Sequence, residues 1–385
     1  MTLIFPEGLH YDCGSCTKCC RTVWNVHVSP QAWDRIVGTP LFERMKAEHG
    51  RDPIYMDEVR GEKTALALVK PGGCIFLGPD RLCAVHRELG VDAKPLGCRE
   101  FPFLPVPTPD GVYVGLSFYC SAVQAGHGRP IKAHAADIEG MLGEYRYERV
   151  GFEPIRLDAS SHISWTAYKS LEDFAAARLA ESPITAGWDV ACAVARARRD
   201  LAPSHEGLLE DEAFADLLAR HERVPVDDVL VRVERMFLEG VAGVLESDSP
   251  ETCRANTEAI FRRAVVASAS FSRDIDLAGF DAFRHRAVAE GDGDGEALRR
   301  YLEHLLFRKF LALKRPLAHN AAAFYLAGPL LTWYRDLSAH AAGRSTPQAE
   351  DTRQALDIIE RGFVMHARNM DPFFAQLADT LVALI

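Results

Sequence analysis

Beyond about residue 165, apolar residues recur every three or four positions, the spacing that places them on one face of a helix. Along 226–245 this apolar stripe consists of Val229, Leu230, Val233, Phe237, Val241 and Val244. The same periodicity predicts helices at 187–201, 207–222, 226–246, 250–271, 294–314, 317–341, 347–369 and 372–384. We therefore expect 151–385 to form an all-α domain of packed helices.

The first 150 residues follow a different pattern, in which proline and glycine separate short apolar runs. These runs predict small strands at 23–28, 66–69 and 112–118 and short helices at 30–37 and 40–48. Such a module has little room for an ordinary core, so bound metal can contribute to its stability. The predicted fold class is mostly α: a small irregular α+β cysteine-rich metal-binding module at 1–150, then the α-helical domain at 151–385.

Three of the predicted helix starts carry a capping residue directly before a proline. They are Ser249-Pro250, Thr346-Pro347 and Asp371-Pro372. This pair is typical of the N-cap and the first helical position, because the proline lacks an amide that would have no partner there. We therefore predict that each pair begins a helix.

The charge and hydropathy of the chain limit the binding partners and the compartment that the sequence predicts. Lys plus Arg number 44 and Asp plus Glu 54, so the net charge is −10, which disfavours nucleic acid as a partner. No basic and apolar leader pattern precedes Pro6, and the uncharged stretch Pro316–Tyr334 is broken by Gly328-Pro329. We therefore predict a cytoplasmic protein without a membrane segment. Thiols in that reducing compartment suit metal better than disulfides.

Eight of the ten cysteines lie in the first 120 residues. These candidate metal ligands are Cys13, Cys16, Cys19, Cys20, Cys74, Cys83, Cys98 and Cys120. The first four form a C-x2-C-x2-C-C pattern, in which two thiolates from one turn can bind a metal, with Gly14 supplying the tight backbone. Adjacent Cys19 and Cys20 do not easily face one centre, so one of them serves a second centre or is a free thiol. Eight thiols suit two four-ligand centres, or one such centre plus thiols with other roles.

The pattern leaves the metal open between zinc and an iron–sulfur cluster, because both accept four thiolates. Only the first CxxC pair is typical of a zinc knuckle, and the later cysteines stand singly, which favours iron–sulfur. His86 follows Cys83 at a C-x2-H spacing, but we predict a surface histidine. Cys192 and Cys253 fall within predicted helices and are assigned to the core.

The cysteine motifs follow one another in a specific order over about residues 10–123. After the opening pattern come Cys-Ile-Phe-Leu from Cys74, Leu-Cys-Ala-Val-His-Arg around Cys83, Cys-Arg-Glu-Phe-Pro from Cys98, and Leu-Ser-Phe-Tyr-Cys ending at Cys120. This order resembles the CxxCxxCC cysteine-cluster family of zinc- or iron-chelating proteins. The chain length and the helical second part look like the flagellin lysine-N-methylase-like branch of that family. The stretch at 301–310, Tyr-Leu-Glu-His-Leu-Leu-Phe-Arg-Lys-Phe, is also similar to that branch.

The resemblance implies a protein with a 4Fe-4S cluster or zinc that transfers methyl groups from S-adenosylmethionine to lysine ε-amines of a protein such as flagellin. It implies metal ligation by the eight N-terminal cysteines. It also covers Arg99, Phe101 and Pro102. Phe101 and Pro102 would shape the turn that presents Cys98, and Arg99 would donate to sulfide or pair with a carboxylate. The alternative is a non-enzymatic metal-binding or metal-sensing protein, or one that docks a partner, with a structural zinc.

The sequence contains neither of the familiar motifs for S-adenosylmethionine. No glycine-rich turn follows a predicted strand, and the C-x3-C-x2-C spacing that begins at Cys16 fails at Val23. Methyl transfer would still need a general base, because a lysine amine must lose a proton before it attacks. The candidate carboxylates are too numerous to choose among, so the catalytic and cofactor-binding residues are left unassigned, as is the oligomeric state.

Other polar and aromatic groups do not predict a second site. The remaining histidines are scattered and form no HExxH motif. Asp292, Asp294 and Glu303 partly match a calcium-binding EF-hand loop, but Ala297 stands where that loop requires glycine, so 290–296 is predicted to be a flexible loop. An aromatic-rich stripe is assigned to the core of its helix: Phe324, Tyr325, Leu330, Trp333 and Tyr334.

Overall fold

The computed structural model describes the chain apart from residues 1, 23, 25, 60–61, 68, 71, 145–153, 203–206, 248, 291–294 and 366–369. The fold is mostly α, with several small sheets. The chain divides into two compact units. The cysteine-rich unit consists of Leu3–Pro105 and Val114–Arg149, and the helical unit of Met1–Thr2, Val106–Tyr113 and Val150–Ile385.

The helices of the cysteine-rich unit are short. They are α1 (Lys18–Arg21), α2 (Pro30–Ile36), α3 (Pro40–His49), α4 (Ala84–Leu89), α5 (Leu96–Glu100), α6 (Ser121–Gln124) and α7 (Ala135–Glu144). The side chains of Ser29 and Thr39 accept hydrogen bonds from the backbone at the starts of α2 and α3, each directly before a proline. These two helices confirm the predictions at 30–37 and 40–48.

The strands of the first 130 residues form small sheets. They are β1 (Leu3–Ile4), β2 (His10–Tyr11), β3 (Val26–His27), β4 (Ile54–Val59), β5 (Glu62–Ala67), β6 (Val69–Lys70), β7 (Gly73–Cys74), β8 (Phe103–Thr108), β9 (Gly111–Leu116) and β10 (Arg129–Pro130). The sheet orders are β3-β5-β4, β1-β9-β8, β10-β2 and β6-β7. Strands β4 and β5 pair antiparallel, with Ile54 opposite Ala67. The strand predicted at 112–118 corresponds to β9, and that at 66–69 falls across β5 and β6.

The core of the cysteine-rich unit lies where α2, α3 and α4 meet the β3-β5-β4 sheet. Ile36, Leu41 and Ile54 belong to one buried cluster. Cys74, Cys83 and Cys98 are partly buried and pack against the same cluster. The hydrophobic core therefore extends directly to three of the predicted metal ligands.

The helical unit is organised around one long helix. Its described helices are α8 (Trp165–Glu181), α9 (Pro183–Asp200), α10 (Asp211–Ala219), α11 (Asp228–Leu245), α12 (Pro250–Phe261), α13 (Leu277–Glu290), α14 (Gly295–Phe307), α15 (Leu317–Ala341), α16 (Ala349–Ile358) and α17 (Asp371–Leu384). A π-helical segment, Ile359–Met365, follows α16. The long helix α15 packs against α9, α16 and α17. Gly187 allows α9 to approach α15 closely, because a Cβ at position 187 would lie 2.9 Å from the Tyr325 Cα.

The prediction of one helix over 250–271 is wrong. Helix α12 ends at Phe261, and the chain then forms an antiparallel pair, β14 (Val265–Ser268) with β15 (Arg273–Asp276). Arg263 takes a left-handed φ of 55°, which helical residues do not adopt. Val265 is 57% and Val266 3% exposed, so successive side chains alternate between two faces as in a strand. The unit also contains the sheet β11-β12-β13, formed by Ile155–Arg156, Ser161–Ile163 and Gly207–Leu208.

The other predicted helix starts and ends are confirmed only in part. The helix predicted at 317–341 is confirmed as α15, and Ser249 caps α12 as predicted. The other two capping predictions are wrong, because Gln348 is the N-cap of α16 and Asp371 is the first residue of α17. The helix predicted at 294–314 ends at Phe307. Helices α7, α8 and α13 have no counterpart among the predicted helices.

The predicted flexible loop and the helix predicted at 347–369 are only partly described by the structure. Asp292 and Asp294 of the predicted flexible loop lie outside the described residues, as do 366–369 of the helix predicted at 347–369. Within the described residues, none of the helices is long and apolar enough to cross a membrane. The aromatic-rich stripe of α15 is buried, as predicted for core residues.

Candidate metal centre

The opening cysteine motif lies on a loop and one helical turn of the cysteine-rich unit. Cys13 and Cys16 are exposed in the loop between β2 and α1. Cys19 and Cys20 are partly buried on α1. The four thiols therefore start close together through local backbone structure alone.

The tight backbone of this motif does not come from Gly14, contrary to the prediction. Ser15 and Thr17 take the left-handed φ angles instead, at 50° and 67°. Arg21 Nε donates to Thr17 Oγ1 at 3.0 Å, which ties α1 to the turn before it. Such conformations are costly for residues with a Cβ and persist where surrounding contacts hold them.

The four later cysteines come from four separate segments. Cys74 ends β7, Cys83 is the N-cap of α4, Cys98 lies in α5 and Cys120 is the N-cap of α6. All four are partly buried. At a helix start, unpaired backbone amides favour an anionic side chain, so these N-cap positions suit thiolates.

Cys20, Cys74, Cys83 and Cys98, here called the core-side thiols, are brought together by backbone contacts. A Cβ on Gly73 would lie only 2.6 Å from the Cys20 carbonyl oxygen, so β7 runs directly over α1. Leu77 N donates to Cys74 O at 3.0 Å, and Leu77 forms a bridge with Cys83. Cys98 packs on the same buried cluster as Cys74 and Cys83.

The electrostatic surroundings connect the same four thiols. The hydrogen bond from Cys19 lowers the pKa of Cys20, whereas burial and then negative charge on Cys74, Cys83 and Cys98 oppose this. Burial raises the pKa of Cys98 to about 12, with negative charge on Cys74 adding to it and Lys94 opposing it. A shared cation would relieve such repulsion between thiolates.

Cys13, Cys16, Cys19 and Cys120, here called the loop-side thiols, are linked through the neighbours of Cys120. The hydroxyls of Thr22 and Tyr119 are 2.6 Å apart, and the Lys18 ammonium lies 4.4 Å from the Tyr119 ring centroid. Tyr119 therefore packs against α1. Helix α6, which follows Cys120, packs against β2, the strand before Cys13. The residues directly before and after Cys120 therefore both pack against segments that flank the opening motif.

The charges around Cys120 point to the same loop-side thiols. Burial raises the pKa of Cys120, the nearby backbone amides of Val123 and Ala122 lower it, and negative charge on Cys16 and Cys19 raises it further. Nearby amides of this kind can tune a metal held by the thiol. Burial also raises the pKa of Tyr11, and Cys13, Cys120 and Cys19 add to the increase.

Cys19 and Cys20 are where the two groups adjoin. Their Sγ atoms are 3.9 Å apart and share a hydrogen bond. This hydrogen bond raises the pKa of Cys19, with burial adding to the effect, and lowers the pKa of Cys20. Charge on Cys19 affects both Cys98 and Cys120, so neither group is isolated from the other.

The present positions of these side chains do not amount to coordination. In the described part of the chain, no three His, Cys, Asp or Glu side chains form a group that could hold a metal ion. His86 is exposed on α4, as predicted. Arg99 Nη2 lies 3.7 Å from Asp92 Oδ1, so a carboxylate pair is formed at this position. Phe101 follows α5 and packs edge-on against Trp24, with ring centroids 5.5 Å apart.

The two cysteines outside the N-terminal motif have different surroundings. Cys192 is fully buried on α9, which confirms its assignment to the core. Cys253 is only partly buried on α12, so its assignment to the core is wrong in part. Cys253 therefore provides a thiol of intermediate exposure outside the candidate metal centre.

A cavity of about 870 Å³ in the helical unit has no counterpart among the predictions. Its apolar wall includes Leu238, Phe280 and Trp333, and Trp333 is therefore both a core residue and a cavity wall. Its charged wall consists of Glu234, Arg235, Glu239, Arg263, Asp281, Arg284, Arg335 and Asp336. Those residues come from distant helices, and acidic residues on helices are usually solvent-facing, so local pattern could not indicate the cavity.

Two carboxylates of this cavity are buried and partly compensated by arginine. Glu239 is 5% exposed and accepts from Arg235 Nε at 2.7 Å and from Arg263. Burial raises the pKa of Glu239, although Arg235 opposes it. Burial also raises the pKa of Asp336, against the effect of Arg335, which donates to it at 2.7 Å. Carboxylates with raised pKa values are suited to accepting protons.

Similarity to known proteins is limited. No family model matches the chain, and no solved structure matches it. The chain is 29% identical over 123 residues to the uncharacterized protein MJ0939 of Methanocaldococcus jannaschii. The match covers 31% of this chain and 39% of the archaeal protein, so the chain spans well under half of that relative.

Proposed function

We propose that the cysteine-rich unit binds metal through thiolates, and that the metal is iron in iron–sulfur clusters of the 4Fe-4S type. The observation that carries this proposal is the gathering of eight thiols from five chain segments in one compact unit. Four thiolates are the usual ligands of such a cluster, so the number and chemistry of the donors fit it. The proposal places the protein in the cytoplasm, where thiols stay reduced.

The surroundings of the thiols support bound metal over eight unrelated cysteines. Burial and neighbouring thiols raise the pKa values of Cys19, Cys98 and Cys120, but Lys94 lowers the first two and the backbone amides of Ala122 and Val123 lower the third. These opposing groups favour thiolate, which is the form that binds metal. The proposal requires the Sγ atoms to turn toward a common centre when iron is present. A bound cluster would supply one-electron redox chemistry.

Purification under argon tests the choice of metal. We expect brown protein with broad absorption at the blue end of the visible spectrum, bleaching on reduction, and iron together with acid-labile sulfide. Cys253→Ser is the matched control and should keep both, because Cys253 lies outside the eight thiols. Colourless protein with stoichiometric zinc would favour the structural-zinc alternative over iron. Protein without any metal would refute metal binding by the thiolates altogether.

A second candidate function is transfer of methyl groups from S-adenosylmethionine to lysine of a protein such as flagellin. The resemblance of the cysteine motifs implies this activity, and the cavity of the helical unit supports it. Its volume of about 870 Å³ suits a cofactor of this size. The apolar part of its wall suits an adenine ring, and the carboxylates and arginines match the charges of a sulfonium and an amino acid.

The chain's own residues would then have to remove a proton from the lysine amine. S-adenosylmethionine would supply an electrophilic methyl carbon, and the free amine attacks only after losing its proton. Glu239 and Asp336 face the cavity with raised pKa values, so they are the candidates for the general base. The apolar wall beside them would keep water from the reacting amine.

Mass spectrometry of flagellin lysines tests this second candidate. We expect metal-loaded protein to add single methyl groups to lysine, and Glu239→Gln or Asp336→Asn to slow transfer while circular dichroism stays unchanged. Glu303→Gln is the control, because Glu303 is exposed on α14 and does not line the cavity. If loaded protein with its cognate flagellin transfers nothing, the non-enzymatic alternative, metal sensing or partner docking, is favoured.

A further inference from the structure

We infer that the eight thiols form two separate metal centres, one held by the core-side thiols Cys20, Cys74, Cys83 and Cys98 and one by the loop-side thiols Cys13, Cys16, Cys19 and Cys120. This inference rests on the proposed function, because it divides the ligands of that same unit. It assigns the adjacent residues Cys19 and Cys20 to different centres.

The core-side centre is defined by backbone packing around α1 and β7. Gly73 lies against the carbonyl of Cys20, so Cys74 and Cys20 are on segments in direct contact. The turn after Cys74 returns to Cys83 through the Leu77 bridge. The buried cluster beneath these segments also holds Cys98. Four thiols from four segments therefore surround one region next to the core.

The loop-side centre is defined by the packing of the Cys120 segment against both ends of the opening motif. Tyr119 contacts Lys18 and Thr22, and α6 packs on β2. Cys13 and Cys16 lie on the loop that joins β2 to α1. Cys120 is therefore next to the opening motif.

The assignment of Cys19 and Cys20 follows from helical geometry and from their neighbours. Successive residues of a helix point about 100° apart, so adjacent thiols face different sides of α1. The Cys20 backbone is the part of α1 that β7 covers, which places Cys20 beside the segment that carries Cys74. Lys18 and Thr22, which Tyr119 contacts, are four residues apart on one face of the turn, and Cys19 lies closer to that face than Cys20 does. The 3.9 Å between the two sulfurs would bring the centres into close contact.

Metal counts on paired variants test the division. The proteins, purified anaerobically as full chains, are the wild type, Cys74→Ser/Cys83→Ser, Cys13→Ser/Cys16→Ser and the control Cys253→Ser. We expect each double variant to hold half the iron and sulfide of the wild type, and the control to hold all of it. In reduced wild type, electron paramagnetic resonance should show broadening from two interacting centres, and both double variants should lack that broadening.

The outcomes separate this inference from the proposed function. Wild type with the iron of one cluster, or either correctly folded double variant with no iron, would overturn two centres while leaving thiolate binding intact. Wild type without any metal would refute the proposed function itself. If zinc replaces iron, the same twofold ratio is read from zinc. If the core-side variant fails to fold, the loop-side variant decides, because Cys13 and Cys16 are exposed on a loop.

Discussion

Replacing Gly73 by alanine tests whether the β7 backbone must lie directly on α1. A Cβ there would lie 2.6 Å from the Cys20 carbonyl oxygen and 3.0 Å from the Arg21 Cα. Gly73 also has a φ of +125°, which residues with a side chain rarely adopt. Gly72 has a φ of +99° but nothing near its Cβ position, so Gly72→Ala is a matched control that adds backbone strain without the clash.

The magnitude follows from these two effects. A positive φ costs a residue with a Cβ roughly 1–2 kcal/mol, and forcing a methyl group into a filled contact costs about 1–3 kcal/mol. We therefore expect the free energy of unfolding to fall by about 1–2 kcal/mol in Gly72→Ala and by about 2–5 kcal/mol in Gly73→Ala. The difference between the variants, about 1–3 kcal/mol, measures the contact of β7 with α1.

Urea unfolding followed by tryptophan fluorescence measures these free energies, with Trp24 and Trp33 as reporters in the cysteine-rich unit. Metal content is determined on the same preparations. Because the disturbed contact carries Cys20 and Cys74, Gly73→Ala should also lose metal from the core-side thiols, whereas Gly72→Ala should keep it. Equal stability and equal metal content in the two variants would show that the close approach has no such role.

Three further predictions concern the helical unit. Glu172→Gln leaves the Lys309 ammonium, 2.7 Å away and 2% exposed, without its carboxylate, which should cost about 3–5 kcal/mol in urea unfolding. Asp227→Ala removes the N-cap that accepts two amides of α11 and should cost about 1 kcal/mol by thermal unfolding. Burial raises the pKa of Glu239 in the folded state above its ordinary value of 4.5. The free energy of unfolding should therefore fall as the pH rises from 4.5 through the folded pKa. Glu239→Gln should remove that pH dependence, and an unchanged slope would contradict the raised pKa.

Helices with strong local signals could be predicted from the sequence, whereas breaks inside apolar stretches could not. Helix α15 has the predicted bounds, and its apolar residues fit a helix that is buried on nearly all sides. The predicted helix 250–271 contains enough apolar residues to continue the helical period beyond Phe261. Its end is set by the backbone of Arg263 and by pairing of β14 with β15, neither of which is a local property of composition.

The sequence identifies the eight thiols as a candidate metal site, but it does not show which of them lie together in the fold. Cysteine spacing shows only which thiols share a turn, as Cys13 and Cys16 do. The contact that connects Cys20 with Cys74 depends on Gly73 meeting a backbone more than 50 residues earlier. Tertiary packing of this kind leaves no periodic signal. The cavity carboxylates could not be predicted for the same reason, since Glu239 lies in a cavity wall built from segments distant in sequence.

The two thiol groups should differ in how metal couples to folding. Cys74 and Cys83 pack against the buried core, so metal held there would bind the folded unit and stabilise it, by about 2.7 kcal/mol at a hundredfold excess over its dissociation constant. Cys13 and Cys16 are exposed on a loop, so metal there is coupled less to the core. Chelation should therefore destabilise Cys13→Ser/Cys16→Ser nearly as much as wild type and leave folded Cys74→Ser/Cys83→Ser almost unaffected. An equal loss of unfolding free energy in the two variants would mean that both groups support the core equally.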